Sequence, residues 1–135
     1  MLAVLVGVAT ACTATAKREA DTLASAVEAY RRTDGPMKAA RARAVSEVAC
    51  SDQRVCDAKA DCVAAVDATT KALALKDEVA AKVGDIERGA LDRNSPEAQA
   101  LPGKLDEAET FLKEGRDKMR LCDEKLANLR VEVGS

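Results

Sequence analysis

In the C-terminal third of the chain, apolar or small residues recur at alternating steps of four and three: Leu101, Leu105, Ala108, Leu112, Gly115, Met119, Cys122, Leu126, Leu129 and Val133. That spacing keeps one seam of a helix turned toward a partner, so a coiled-coil-like helix is predicted over 103–133. Glu109 with Lys113 and Glu114 with Lys118 lie four apart on its flanks, in the order that supports a solvated helical face. An N-terminal stretch has the same rhythm: Ala16, Ala20, Leu23, Val27, Tyr30, Met37, Ala44 and Val48, interrupted by Asp34 and Arg41. Pro36 removes a helical hydrogen bond and disfavours helix at Gly35. Because the ladder resumes in phase, one long arm over 14–49, kinked at Gly35-Pro36, is expected. Between the two, Ser51 or Asp52 supplies an N-cap for a helix over 52–92. Its stripe runs Val55, Cys62, Val66, Leu73, then drifts to Leu75, Val79, Val83 and Ile86, as suits a middle helix with neighbours on two sides. Asp92-Arg93-Asn94 marks its end, and Ser95-Pro96-Glu97 offers a fresh cap with Pro at the first helical position. Leu101-Pro102-Gly103 is a second breaker, so 93–103 is expected to be a turn with room for one short helical piece. The prediction is all-α: an elongated antiparallel three-helix bundle, or coiled-coil-like hairpins, forming one domain over 13–135.

Composition sharpens this. Lys and Arg total 21 against 23 Asp and Glu, a net charge of −2, which argues against nucleic acid or acidic membrane as a charge-steered partner. Arg31-Arg32 and Arg41-x-Arg43 make a mildly basic patch at the kink, without the aromatic platform that single strands need. The chain has no His, which removes classical triads, His-metal sites and zinc deaminase chemistry. Tyr30 and Phe111 are the only aromatics, leaving a thin core of Ala, Leu and Val. Gly115 costs about 1 kcal/mol relative to Ala inside a helix, and its place in the seam is expected to permit close helix approach. Asp57 and Asp61, one turn apart, are read as part of a solvated face rather than as a metal or acid/base pair. No catalytic residue, metal, cofactor or small-molecule substrate is expected.

The first charged residue is Lys17. The apolar run before it is shorter than the roughly 20 residues that span a bilayer and fits a secretory h-region of about 7 to 15 residues ending in small residues. Ala9-Thr10-Ala11-Cys12 resembles a bacterial lipobox, which implies a signal segment over 1–12 and lipidation at Cys12. A plain secretory signal, or an apolar first turn tucked against the bundle, is the alternative for the same run.

Five cysteines are an odd number, which leaves one unpaired in an oxidising compartment. Setting Cys12 aside leaves Cys50, Cys56, Cys62 and Cys122. Six residues along a helix span about 9 Å, beyond the Cα separation of about 4.4 to 6.8 Å that a disulfide allows, so Cys56 does not bridge Cys62. Cys50 and Cys56 flank the first predicted turn, and Cys62 and Cys122 flank the second. Cys50–Cys56 with Cys62–Cys122 is therefore the preferred connectivity of three. Close pairs such as CxxC, which zinc and iron–sulfur sites use, are absent from these four, and without His a nucleophilic cysteine lacks its usual base.

The segments Val55-Cys56-Asp57-Ala58-Lys59-Ala60-Asp61-Cys62 and Lys118-Met119-Arg120-Leu121-Cys122-Asp123 resemble those of small uncharacterised helical proteins predicted to be lipoproteins in proteobacteria. The resemblance rests on helix and cysteine spacing and implies an address on the periplasmic side of an envelope membrane, with no activity. The long helical shape is similar in kind to Braun-type lipoproteins, but the cell-wall-linking C-terminal Lys has no counterpart in Val133-Gly134-Ser135, and that function is not carried over. The expected function is a non-enzymatic, lipid-anchored spacer or partner-binding module. The alternative is a soluble secreted, periplasmic or cytoplasmic protein, holdase-like or inhibitory, acting through a groove between its arms.

Overall fold

The computed structural model of the chain describes residues 7–134, with side chains from Cys12 onward. Half of the expected signal segment, Met1 to Val6, lies outside the described residues. The helices are α1 (Gly7–Arg32), α2 (Lys38–Ser46, entered through a 3-10 turn at Gly35–Met37), α3 (Gln53–Glu87), the short α4 (Pro96–Gln99) and α5 (Leu101–Val133). No strand occurs among the described residues, and the fold is the all-α, disulfide-stapled arrangement the periodicity predicts.

The backbone of the molecule is the antiparallel hairpin of α3 and α5. Cys62 and Cys122 are bonded across its seam with Cα atoms 4.7 Å apart. A Cβ built on Gly115 would stand 3.2 Å from the Thr69 nitrogen and 3.4 Å from the Ala65 carbonyl oxygen, and would collide with the Thr69 hydroxyl. Gly115 thus permits the close approach expected of it. These contacts fix one register, in which Ala65 is level with Met119 and Ala72 with Leu112, a small residue against a large one. Ala58, Ala65, Ala72 and Ala108 are all within 1% of complete burial. The α3 seam therefore keeps a single heptad phase through Ala58, Cys62, Ala65, Ala72 and Val79. The drift expected from Leu75 and Val83 is a flank: at this helix spacing the interface holds alanine, and Leu73 and Leu75 are left half-buried, with Val83 41% exposed. Ion pairs line the edges, Lys76 with Glu109 at 3.3 Å and Lys104 with Glu78, so Glu109 reaches across to α3.

The break expected at Gly35-Pro36 goes further than a kink. Gly35 takes a left-handed φ of 68°, a conformation open to glycine at little cost, and the chain reverses so that α2 returns along α1. Lys38 secures the reversal. Its ammonium donates to the Tyr30 and Thr33 carbonyls at 2.9 and 3.0 Å, adding a charged donor at a helix C-terminus, and sits 4.0 Å from the centre of the Tyr30 ring. At the far end of α2, the Ser51 N–H and hydroxyl both donate to the Glu19 carboxylate, at 2.9 and 2.8 Å. The in-phase ladder across the break is a coincidence of spacing: Met37 is 59% exposed, Ala44 only half-buried, and the core side of α2 is Ala42 and Val45, followed by Val48.

The molecule consequently has a four-helix base in place of three continuous arms. α1 runs antiparallel to α5, with Arg31 paired to Asp123 and Arg130 to Asp21. Its Tyr30 hydroxyl reaches the level of the Val66 carbonyl and the Thr70 hydroxyl on α3, at 3.4 and 3.3 Å. Leu23, Val27, Val45, Val55 and Val66 are completely sealed in this base, and the Cys62–Cys122 bond is part of the same core. Beyond Thr70 the α3–α5 pair projects alone, with α4 at its tip.

Helix ends also differ from the predicted boundaries. α3 stops at Glu87, not near 92, because Gly89 adopts φ 77° and the Gly89 and Ala90 N–H groups donate back to the Ile86 and Asp85 carbonyls at 3.1 and 2.8 Å, a Schellman closure. Its 35 residues give a rod of about 52 Å at 1.5 Å per residue. Ser95 caps α4 by accepting from the Ala98 N–H at 3.1 Å. α5 begins at Leu101, since Pro102 lies in its first turn, where a missing N–H costs nothing.

Gly115→Ala tests the seam. Helix propensity alone favours the change by about 1 kcal/mol, but overpacking against Thr69 and Ala65 should outweigh it and lower stability by about 1 to 3 kcal/mol in urea unfolding of the oxidised protein. A stabilised variant would mean that the helices do not meet this closely.

Candidate functional site

The residues with distinctive chemistry gather at the base. Cys12 is exposed and unpaired with another cysteine. It lies on α1 one turn ahead of Ala16, the first buried side chain described, so α1 runs unbroken from Gly7 past Cys12 into the core. Cys50 and Cys56 are joined, with Cα atoms 5.2 Å apart. Their bond links the segment after α2 to the first turn of α3, and both residues are half-buried. Cys62 and Cys122 are fully buried. Both predicted pairings are present.

Asp52 organises the entry to α3. One carboxylate oxygen accepts from the Arg54 backbone N–H at 2.9 Å, the capping bond expected of it. Both oxygens also receive the Arg54 guanidinium, Nε at 3.0 Å and Nη2 at 2.8 Å. The Arg54 side chain, then its backbone N–H, pulls the Asp52 pKa down from 3.8 to about 2. Arg54 in turn reaches Glu132 near the end of α5 at 3.6 Å.

Asp57 and Asp61 do not converge. Asp57 is exposed and accepts from the Gln53 side-chain amide at 2.8 Å. Asp61 turns onto α5, where it meets Lys125 at 2.5 Å and Lys118 at 3.9 Å. It is thus an interhelical bridge, not the solvated-face residue the sequence suggests. No group of His, Cys, Asp and Glu suited to a metal ion occurs among the described residues. Of the basic patch, the Arg31-Arg32 half is drawn into pairs, Arg31 with Asp123 and Glu28, and Arg32 with Glu28 at 2.9 Å, while Arg41 and Arg43 are exposed on α2.

A shallow groove runs between α1 and α5. Ala24, Val27, Leu126 and Ala127 line its floor, and Lys17, Asp21, Glu28, Arg31, Arg32, Asp123 and Arg130 its rims. Its capacity is for binding by charge pattern and a narrow apolar strip; it holds no nucleophile–base pair. Sequence reasoning missed the Lys38 cap, the Glu19–Ser51 link and the Asp61 bridge. Each joins residues that only the chain reversal or the hairpin register brings together, and periodicity carries no signal for them. Comparison of the chain with protein-family models, curated proteins and solved structures finds no match.

Replacing Cys62 and Cys122 together by Ser should cost about 2 to 5 kcal/mol, and replacing Cys50 and Cys56 should cost less, because the loops closed span 60 and 6 residues. Denaturant unfolding would give the order, with reductant mimicking both losses and a chelator none. Unfolding by chelator alone would point to a metal site instead. Since the folded pKa of Asp52 lies below its ordinary value, the stability from this cap is complete above pH 3.8 and fades as pH falls through about 2. NMR titration of the Asp52 carboxyl carbon should give a midpoint near 2, and Arg54→Met should raise it toward 3.8.

Proposed function

We propose that this protein is a non-enzymatic helical spacer or partner-binding module, held on the periplasmic side of a bacterial envelope membrane by lipid on Cys12. The supporting observation is the place of that residue: exposed, on the helix that leads into the base, and at the end of the molecule opposite the α3–α5 tip. Lipid there sets the base against the membrane. The α3–α5 rod, about 52 Å long at 1.5 Å per residue, then points away from it, and its helix faces are the surface offered to a protein partner. No helix among the described residues is long and apolar enough to cross a membrane, so attachment in this reading rests on the lipid. Because α1 is helical from Cys12 to Ala16, the attachment in this reading lies one helical turn from the core of the base.

The α1–α5 groove favours a second reading, a soluble holdase-like or inhibitory protein that takes a partner segment between those helices. Its apolar floor is small, which is why the anchored module is preferred.

Intact mass and detergent-phase partitioning of protein expressed in a bacterial host separate the two. The expected product begins at Cys12, carries the mass of a thioether-linked diacylglycerol and enters the detergent phase. Cys12→Ala should lack the diacylglycerol mass and keep residues 1–11, with unchanged helicity and both disulfides. Recovery of an unacylated chain starting at Met1 would overturn the anchored reading, and if it binds unfolded polypeptide through the groove the second reading takes its place.

A further inference from the structure

The two disulfides sit in opposite environments. Cys62 and Cys122 are both 0% exposed and lie within the hairpin seam. Cys50 and Cys56 are half-buried at the solvent edge of the base, where their bond ties the connection between α2 and α3 to the start of α3. A thiol reductant must reach along the S–S axis to react, so the outer bond is open to attack while the inner one is reached only by separating α3 from α5.

The outer bond also holds the element least able to stand alone. α2 has nine residues, fewer than the roughly 12 to 15 an isolated helix needs to persist in water. It buries only Ala42 and Val45, and no acid lies in its first turn to favour it. Its order therefore depends on being tied at both ends: at one by Lys38 on the Tyr30 and Thr33 carbonyls, at the other by buried Val48, the Cys50–Cys56 bond and the exposed Ser51–Glu19 hydrogen bonds.

We propose that the Cys50–Cys56 bond is a redox switch for the docking of α2, opened by an external dithiol while Cys62–Cys122 stays oxidised. A thiolate of the dithiol attacks Cys50 Sγ, the S–S bond breaks, and its electron pair passes to Cys56 Sγ in the first turn of α3. The second thiolate of the dithiol then attacks the mixed disulfide and releases Cys50. The Cys50–Cys56 pair gains two electrons and two protons, and the dithiol becomes a disulfide. The freed connection lets α2 leave the base while the α3–α5 hairpin remains cross-linked. This switch does not rest on lipid at Cys12.

The test is graded dithiothreitol treatment of the native full chain, followed by alkylation with peptide mapping and by amide hydrogen exchange. Cys50 and Cys56 should become labelled at least about tenfold faster than Cys62 and Cys122. At that stage exchange should accelerate across Lys38–Ser46 while the α3 and α5 seam keeps its protection. The double variant Cys50→Ser with Cys56→Ser should show the same exchange pattern without reductant, and the wild-type titration decides the matter alone if that variant does not fold. Equal labelling rates, earlier labelling of Cys62 and Cys122, or unchanged exchange in α2 after the outer bond opens would each overturn the proposal.

Discussion

The close approach of α3 and α5 governs the rest of the architecture. With two aromatics in the chain, bulk cannot fill an interior, so contact has to come from bringing backbones together, where dispersion between densely packed small groups accumulates. Ala58, Ala65 and Ala72 on one helix and Ala108, Gly115 and Cys122 on the other make that distance possible. The same distance lets Cys62 and Cys122 meet with Cα atoms 4.7 Å apart and brings Lys76, Glu109, Lys104 and Glu78 within reach across the edges. It also pushes larger side chains outward. In the base the larger seam residues Leu126 and Met119 pack into the core under α1.

The base depends on a second constraint, the reversal at Gly35. Tyr30 stands where three helices come together: its hydroxyl reaches the Val66 carbonyl, its ring receives Lys38, and its own carbonyl takes a hydrogen bond from the same ammonium. Burial raises its pKa, with the Thr70 and Thr69 hydroxyls acting in the other direction, so the phenol stays neutral and can donate. One aromatic and one lysine thereby fix both the direction of α2 and the level at which α1 ends.

Seam and staples were legible in the sequence because both are encoded locally. The four-three spacing through Leu126, Leu129 and Val133 is a property of one helix, and the reach of a disulfide excludes pairing of Cys56 with Cys62 before any fold is known. The α3 seam was harder to read: in a chain so rich in alanine, Ala65 and Ala72 look no different from exposed Ala80, and only the partner helix distinguishes them. The reversal was hidden for a different reason. A ladder that resumes in phase after Pro36 is compatible with a kink and with a turn, and the decision lies in Gly35 and Lys38, whose effect is three-dimensional. Gly89, one residue past the cap of α3, was a readable signal that the more polar Asp92-Arg93-Asn94 obscured.

The inner disulfide has a mechanical consequence. Tension applied between α1 and the end of α5 would cross from Cys50 to Cys56 and then from Cys62 directly to Cys122, skipping the intervening loop of sequence separation 60. The projecting half of the α3–α5 hairpin, with α4 at its tip, lies inside that shunt and carries none of the load. Strain would be absorbed by the α1–α2 reversal and by the last turns of α5, while the tip kept its shape under force.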